Sequence, residues 1–513
     1  MAPLRSRRHA LLAVPVGLAL TASLGLLPGV AAAAPQPEPR AKTAATDGPL
    51  LSYVVNTATD RATLAKVKKA VAQADGSIVE TYGRIGVIVA HSKNPGFAAA
   101  LRAVPGVQSA GATRTAPIAP AGTTDVGKPE KVKLPRSSAA AAARQQAGGA
   151  EPLEDLQWDL PAIKADQAAK INPGSRKVTV GVIDTGVDDT HPDLAPNFSR
   201  SQSASCVTGK ADTSPGAWRP YDPAEDYHGT HVAGTIAAAR NGVGVAGVAP
   251  NVKVSGIKVS NRSSFFYAES VVCAFVFAAE HDIAVTNNSY YVDPWLFNCA
   301  DDPDQKAISE SVARATKYAQ DKGTVNVASA GNSNFDLAAK EITDTSSPND
   351  HGRPAEKRKI DPSVCLDVPA QLPGVVTVSS TGVKSAKAYY SNYGLNQVDV
   401  AAPGGDKYQV PDLPAKDGRI LSTLPGGDWG YLQGTSMAGP HVAGVAALLK
   451  SAHPKSSPQE IQWLLKAQAD NPGCPTGPYD GDGDGKADAV CTGNKNVNGF
   501  YGFGIVDALD AVR

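Results

Sequence analysis

From residue 177 onward, apolar strand patterns alternate with helix patterns, and this alternation restricts the fold more than any other feature of the chain. The strand patterns are continuous apolar runs such as KVTVGVID and TVNVASAGN, with helical periodicity between them. Such runs are typical of parallel sheets that helices cover on both faces. The sequence therefore predicts an α/β fold with a doubly wound parallel sheet, whose functional groups gather where the strands end.

Three polar motifs occur along this pattern in the order Asp, His, Ser. They are GVIDTGVDDTHPDL around Asp184, HGTHVAGT from His228 and GTSMAGPHVAG around Ser436. A serine hydroxyl becomes a useful nucleophile only when a base takes its proton and a carboxylate orients that base. The order Asp, His, Ser is that of the subtilisin type, whereas α/β-hydrolases and chymotrypsin-type enzymes have other orders. The motifs therefore indicate nucleophilic serine catalysis.

All three motifs match those of subtilisin-like serine proteases (subtilases, peptidase family S8), and the chain resembles a secreted bacterial member of this family over roughly residues 151–513. The resemblance implies a serine endopeptidase that forms an acyl-enzyme and needs no cofactor for catalysis. It implies that Ser436 attacks the peptide, His228 transfers the proton and Asp184 orients His228. Asn332, which ends TVNVASAGN, is expected to donate to the oxyanion together with the backbone N–H of Ser436.

The same resemblance indicates where substrate binds. IAVTNNSYY is similar to the family strand that pairs with extended substrate. The family commonly has SLGG where this chain has SYYV, and two tyrosines in place of glycines are expected to narrow the first pocket. A charged, Pro-rich stretch at residues 333–364 is a second departure from the family. The predicted substrate-binding residues are Ser289, Tyr290, Tyr291, Ala330 and Gly331.

A metal site is the alternative for HGTHVAG, because His228 and His231 are three residues apart. The motif lacks the Glu and the i, i+4 histidine spacing of a zinc-binding protease helix. The sequence therefore favours His228 as the base and His231 as a structural histidine.

Two segments carry the oxygen ligands that calcium prefers. DGDGDGKAD resembles the first half of an EF-hand loop but lacks the closing Glu, so a structural calcium site and a solvated acidic turn are both open. At the usual strong calcium site of the family, Asp193 and Asn241 match expected ligands, whereas Arg240 in the same loop is expected to replace the charge of an ion. The predicted ligands in the acidic segment are Asp480, Asp482, Asp484 and Asp488.

The charge balance limits the classes of partner that the sequence favours. Lys plus Arg and Asp plus Glu both number 49, so the formal net charge is zero, and nothing favours nucleic acid or an acidic membrane surface. The expected partners are protein or peptide substrates and the chain's own propeptide, and the expected state is a monomer.

Residues 1–34 have the features of a signal peptide. Arg5, Arg7 and Arg8 precede an apolar run from Ala10 to Leu27, and small residues follow at 31–34. This arrangement predicts export and cleavage, and thus a secreted, extracellular protein without a membrane anchor in its mature form. A retained membrane anchor is the weaker alternative, because prolines interrupt the apolar run.

Six cysteines are compatible with three disulfides in an exported protein. Proximity favours Cys474 with Cys491. The family resemblance places Cys299 and Cys365 on one substrate-facing side, which makes them the next pair. Cys206 and Cys273 remain, with an inert core thiol at Cys273 as the alternative.

An independent small unit is predicted at residues 50–112, where the patterns follow the order strand, helix, strand, strand, helix, strand. This is the ferredoxin-like plan. In subtilases this position resembles the inhibitory propeptide, which assists the slow folding of the parallel sheet. An ordinary binding module is the alternative. The predicted domains are a signal peptide (1–34), a propeptide (35–118), a linker or processing region (119–152) and the catalytic domain (153–513).

Three rival functions are compatible with the same fold. They are narrow processing of one partner protein, an inactive scaffold and an esterase. An intact triad argues against the scaffold, because a scaffold has no physical need for all of these groups.

Overall fold

The computed structural model describes residues 48–115, 117, 128–133 and 150–513. The predicted signal peptide and most of the predicted processing region lie outside these residues. Within the described part of the chain, no helix combines the length and the apolar character that are needed to cross a membrane.

Residues 48–115 form an antiparallel four-stranded sheet with two helices. The strands adopt the order β2-β3-β1-β4, which is ferredoxin-like and confirms the predicted plan. The side chain of Asp60 caps the first helix by accepting the N–H of Thr63 at 2.9 Å. The elements are β1 (Leu51–Thr57), α1 (Arg61–Gln73), β2 (Gly76–Tyr82), β3 (Val87–Ser92), α2 (Phe97–Arg102) and β4 (Val107–Ala112).

The larger part of the molecule is built on a parallel seven-stranded sheet in the order β16-β15-β11-β9-β6-β8-β7. A separate three-stranded sheet joins β5, from the predicted linker, to the hairpin β17–β18. The first elements are β5 (Glu130–Val132), α3 (Asp159–Ala162), α4 (Ala165–Ile171), β6 (Thr179–Asp184), β7 (Ala204–Ser205), α5 (His228–Ala237), β8 (Lys253–Lys258), α6 (Ala268–Glu280), β9 (Val285–Asn288), β10 (Asn298–Cys299), α7 (Pro303–Asp321) and β11 (Val325–Ser329). The remaining elements are β12 (Ile342–Ser347), β13 (Glu356–Ile360), β14 (Cys365–Leu366), β15 (Val375–Thr381), β16 (Val400–Pro403), β17 (Ile420–Leu424), β18 (Asp428–Leu432), α8 (Thr435–Ala452) and α9 (Pro458–Ala467).

Helices cover both faces of the parallel sheet, as predicted. On one face, Val180 and Val182 of β6 pack in a core with α5, α8 and α9. On the other face, Ile183 packs with α6 and α7. Every residue of β6 is buried, which explains why its sequence is continuously apolar until Asp184 ends the strand. The α/β doubly wound prediction is confirmed.

Three disulfides join the six cysteines. They are the three predicted pairs, so the alternative of a free core thiol at Cys273 is wrong. Cys299 and Cys365 lie opposite each other on β10 and β14. The disulfide at this position anchors one end of the stretch 333–364, in which β12 and β13 pair as a hairpin.

Candidate active site

A buried carboxylate–imidazole pair lies at the carboxyl end of β6, an interior strand of the parallel sheet. β6 ends at Asp184, and His228 is the first residue of α5. His228 Nδ1 lies 2.8 Å from Asp184 Oδ1 and 2.9 Å from Oδ2. Because a carboxylate only accepts hydrogen bonds, Nδ1 carries the proton and Nε2 is left as the basic nitrogen. Nε2 is buried and has no hydrogen-bond partner among the described residues.

Gly229 allows this close approach. A Cβ at this position would lie 2.3 Å from the carbonyl oxygen of Gly186 and 3.1 Å from Asp184 Cβ. The first turn of α5 therefore reaches the strand end only without a side chain here, which accounts for the second residue of HGTH. The N–H of Gly229 donates to Thr185 Oγ1 at 3.0 Å and fixes the same turn.

Ser436 lies in the first turn of α8, where the positive end of the helix dipole favours developing negative charge. Its Oγ donates to the carbonyl oxygen of Ser289 at 3.4 Å, and Ser289 Oγ donates to the carbonyl of Ser436 at 3.0 Å. The structure thus brings Ser436 to the predicted substrate strand and gives it no hydrogen bond to His228.

Asn332 is held against the serine helix through its side-chain oxygen. Asn332 Oδ1 accepts from both the N–H and the hydroxyl of Thr435 at 2.8 Å. Thr435 Oγ1 in turn accepts the N–H of Gly331 at 3.1 Å. Since these bonds use the amide oxygen, the amide nitrogen is the group left to donate to a ligand. Sequence reasoning missed the role of Thr435, although it is part of the motif GTSMAGP.

Asn392 also supports this loop and carries no motif that would have identified it. Its Nδ2 donates to the carbonyl of Ala330 at 2.8 Å, and its Oδ1 accepts the N–H of Ser333 at 3.0 Å. These contacts span the predicted pocket residues Ala330 and Gly331, and Gly331 has a positive φ of 99° that favours glycine.

The two tyrosines after Ser289 have different surroundings. The Tyr290 ring stacks on Phe266 at 4.8 Å between centroids, and its hydroxyl donates to Asn288 Oδ1 at 2.9 Å. Tyr290 is therefore a core side chain. The hydroxyl of Tyr291 accepts from Asn349 Nδ2 at 3.2 Å. That a tyrosine narrows the first substrate pocket stays a prediction, and Tyr291 is now the residue that is expected to narrow it.

Comparisons with known proteins agree with this geometry. The model of the Subtilase family matches residues 175–504, which is more than half of the chain. The chain belongs to the subtilase family. It is 32% identical over 320 residues to subtilisin DY of Bacillus licheniformis, an alignment that covers 62% of this chain and 93% of the relative. It is 32% identical over 288 residues to a thermophilic serine proteinase of Bacillus sp. (strain AK1), which covers 56% of this chain and 55% of the relative.

Solved structures show the same fold. The epidermin leader peptide processing serine protease of Staphylococcus aureus aligns with a TM-score of 0.63 at 24% identity, covering 90% of this chain and 98% of its own. A protease of Pseudoalteromonas arctica aligns with a TM-score of 0.51 at 30% identity, covering 71% of this chain and 98% of its own. This subtilase is a serine endopeptidase that acts on protein or peptide substrates.

The second histidine of HGTH is structural in this subtilase. His231 Nε2 lies 3.1 Å from the carbonyl oxygens of Ile420 and Gly430 and ties α5 to the hairpin β17–β18. Burial lowers the pKa of His231 to about 3, so the ring is neutral and donates from Nε2. This arrangement provides no metal ligand at that nitrogen.

The acidic segment brings together three of its four predicted ligands. Oxygen atoms of Asp480, Asp482 and Asp488 lie within 4.8 Å of one another. Asp484 instead accepts from Lys486 Nζ at 2.6 Å. Both oxygens of Asp480 also accept backbone N–H groups. The carboxylate oxygens suit calcium chemically.

The loop around Asp193 offers a poorer set of oxygen atoms. Asp193 Oδ2 accepts from the N–H of Val245 and from Trp429 Nε1, whereas Oδ1 has no hydrogen-bond partner among the described residues. Asn241 Oδ1 accepts the N–H of Val243. The Arg240 guanidinium pairs with Glu154, and the replacement of an ion's charge by Arg240 stays a prediction.

The Glu151 carboxylate binds the backbone of the same loop. Its Oε2 accepts the N–H groups of Gly242 and Val243 at 2.7 and 3.0 Å. Burial raises the pKa of Glu151 to about 7. Amide hydrogens that converge on a carboxylate suit an anion, so these residues do not fit a calcium ion in the described arrangement.

Proposed function

We propose that the protein is a secreted serine endopeptidase, made as a self-processing zymogen, in which Asp184, His228 and Ser436 form the catalytic triad. The observation that carries the proposal is the buried Asp184–His228 pair. It holds the imidazole in the tautomer whose Nε2 is free to accept a proton.

In the proposed reaction, Ser436 Oγ turns from Ser289 towards Nε2 of His228 and attacks the substrate carbonyl carbon. His228 takes the hydroxyl proton, and Asp184 stabilises the imidazolium that forms. The proton then passes from Nε2 to the leaving amine, which gives the acyl-enzyme. Water then attacks the acyl-enzyme and gives a proton to His228. His228 passes this proton to Ser436 Oγ, which releases the carboxylic acid product.

Two donors are proposed to stabilise the tetrahedral intermediate. They are the backbone N–H of Ser436 and Nδ2 of Asn332. The Thr435 contacts support this role, because they hold the amide in one orientation before substrate arrives. Preorganised donors cost no rearrangement at the moment when charge develops.

The proposed propeptide is the ferredoxin-like unit, and its contacts support an inhibitor that is bound at the catalytic domain. Asn56 Nδ2 donates to the carbonyl of Ala307 on α7 at 3.0 Å. Arg314 of the same helix donates to the carbonyls of Thr57 and Ile85 at 2.8 and 3.1 Å. Processing is proposed at residues 119–152. Secretion is supported by the three disulfides together with the signal-like residues 1–34.

The test compares the secreted wild type with Ser436→Ala by intact mass and by cleavage of unfolded casein. We expect the wild type to lose its first 119–152 residues and to cut casein, and the variant to do neither. Equal behaviour of the two proteins contradicts the triad. Self-processing without cleavage of casein or of a panel of unrelated proteins would favour a narrow processing protease.

A further inference from the structure

An ion pair connects the N-terminal unit to the catalytic domain. Arg114, which follows β4, donates from Nη2 to Glu269 Oε1 in the first turn of α6. The Glu269 side chain is only 2% exposed. The guanidinium carbon of Arg114 also lies 4.0 Å from the centroid of the Tyr267 ring, which adds a cation–π contact.

A second carboxylate completes the surroundings of this arginine. Asp350 accepts the N–H of Thr115 at 2.9 Å through Oδ2, and the hydroxyl of Tyr267 donates to the same oxygen at 3.3 Å. Asp350 belongs to the stretch 333–364 that sets this chain apart from its family. The guanidinium therefore lies against a buried carboxylate and an aromatic face, and Asp350 contributes a second negative charge to its surroundings.

The cation that pairs with Glu269 comes from the N-terminal unit. Glu269 Oε2 is buried and has no hydrogen-bond partner among the described residues, and Arg114 is the cation of its ion pair. The Glu269 side chain is covered while the N-terminal unit is in place. If that unit leaves after processing, Glu269 loses its cation, and an arginine side chain of the substrate can restore the same ion pair.

The site around Glu269 is adjacent to the predicted substrate strand. Ser436 Oγ contacts the carbonyl of Ser289, and the chain runs from there to Asp293, at most about 14 Å away. Asp293 forms a bridge with Tyr267, and its Oδ2 accepts the N–H of Phe266 at 2.6 Å. An extended peptide advances about 3.3 Å per residue, so about four residues of substrate span the stretch to Asp293. Glu269 lies two residues beyond Tyr267, which extends the expected span to four to six residues.

We infer that Glu269, Tyr267 and Asp350 form a subsite for an arginine side chain of the substrate, four to six residues before the cleaved bond, and that Arg114 occupies this subsite in the precursor. The inference rests on the proposed function. The amino side is assigned because Arg114 precedes every bond of the proposed processing region. Arginine is favoured over lysine, because its planar fork both binds a carboxylate and stacks on the tyrosine ring.

The test uses the processed enzyme and fluorogenic peptides that share one cleavable sequence. Each peptide carries arginine, lysine or citrulline at one of the third to seventh residues before the cleaved bond. Citrulline has the shape of arginine without its charge. We expect kcat/KM to be at least tenfold higher for arginine than for citrulline at one position between four and six, with lysine in between.

Glu269→Gln is expected to reduce the ratio of arginine to citrulline cleavage to about one. The matched control is Glu280→Gln at the exposed end of the same helix, which should keep the wild-type ratio. Equal cleavage of arginine and citrulline peptides by the wild type contradicts the subsite alone, as does a ratio that Glu269→Gln leaves unchanged. Failure of the wild type to cut any peptide or casein contradicts the proposed function and the subsite with it.

Discussion

At the scale of single residues, the proposed chemistry depends on one carboxylate that accepts from one imidazole nitrogen. Asp184 also accepts the N–H of Thr185 at 2.6 Å, so its orientation is fixed from two sides. Three further aspartates, Asp188, Asp189 and Asp193, follow within nine residues. From the sequence, only the family pattern distinguishes Asp184 from them. The structure separates them physically: Asp188 Oδ1 accepts from the N–H and hydroxyl of Thr190, and Asp189 pairs with Arg200 and Arg219.

Asp184→Asn is therefore expected to lower kcat by about 10⁴, the loss that the same change causes in a serine protease of another fold. An amide nitrogen facing His228 Nδ1 favours the wrong tautomer. The measurement is the steady-state rate on a fluorogenic peptide, with enzyme quantified by mass. Asp188→Asn serves as the control and should stay within a few-fold of wild type. Similar losses of kcat in both variants would contradict a specific role of Asp184 in orienting His228.

A buried lysine gives a pH-dependent prediction. Lys387 Nζ donates to Asn334 Oδ1 at 2.6 Å and lies near the rings of Tyr393, Tyr479 and Phe500. Burial lowers the pKa of Lys387 to about 7, whereas an unfolded lysine has a pKa of about 10.4. Between these values the unfolded chain binds the proton that the folded chain has released, so the free energy of unfolding rises with pH.

We expect the free energy of unfolding to increase from pH 7 to pH 10 and Lys387→Met to remove most of this increase. Below pH 7 both states are protonated and the contribution is constant. Denaturant titrations in the Ser436→Ala background avoid self-digestion, and Lys317→Met, at an exposed lysine, is the control. The idea fails if Lys387→Met leaves the pH dependence unchanged.

At the scale of elements, regular patterns were predictable and local ion pairs were not. The strand β6 and the helix α5 follow directly from apolar runs and small residues. In the acidic segment, spacing alone predicted four equivalent carboxylates. The structure separates Asp484 from the others because Lys486, two residues later, binds it. Likewise, the charged composition of residues 333–364 predicted an insertion but not the hairpin β12–β13, which depends on contacts such as that between Asp344 and Arg358, 14 residues apart.

We propose that Asp480, Asp482 and Asp488 bind a structural calcium ion, and the separation of Asp484 provides a matched control. Calcium should raise the thermal midpoint of the Ser436→Ala protein relative to a chelator, because an ion that binds only the folded state stabilises it. Asp482→Asn should abolish most of the increase, and Asp484→Asn should retain it. Equal midpoints with calcium and chelator would favour a solvated acidic turn, as would an equal loss in both variants.

At the scale of the whole molecule, the sequence predicted two folds but not how they meet. The contact depends on Arg314 of α7, which donates to main-chain carbonyls of β1 and of the turn before β3. Any residue presents a carbonyl, so no pattern in the N-terminal unit indicates this partner. Gly86 lies at the same contact with a positive φ of 67°, and a Cβ there would lie 2.1 Å from the carbonyl oxygen of Thr57. Only the assembled structure shows that these residues act together.

Arg314→Ala is expected to weaken the hold of the N-terminal unit on the catalytic domain. Hydrogen bonds from a charged donor contribute about 2 kcal/mol, which corresponds to roughly a 30-fold weaker complex. The secreted full chain should then show a shorter lag before activity on a fluorogenic peptide. Activity is normalised to the active serine by titration, since poorer folding would lower the yield. Lys317→Ala, an exposed change on the same helix, should keep the wild-type lag, and identical lags for the two variants would contradict an inhibitory contact at Arg314.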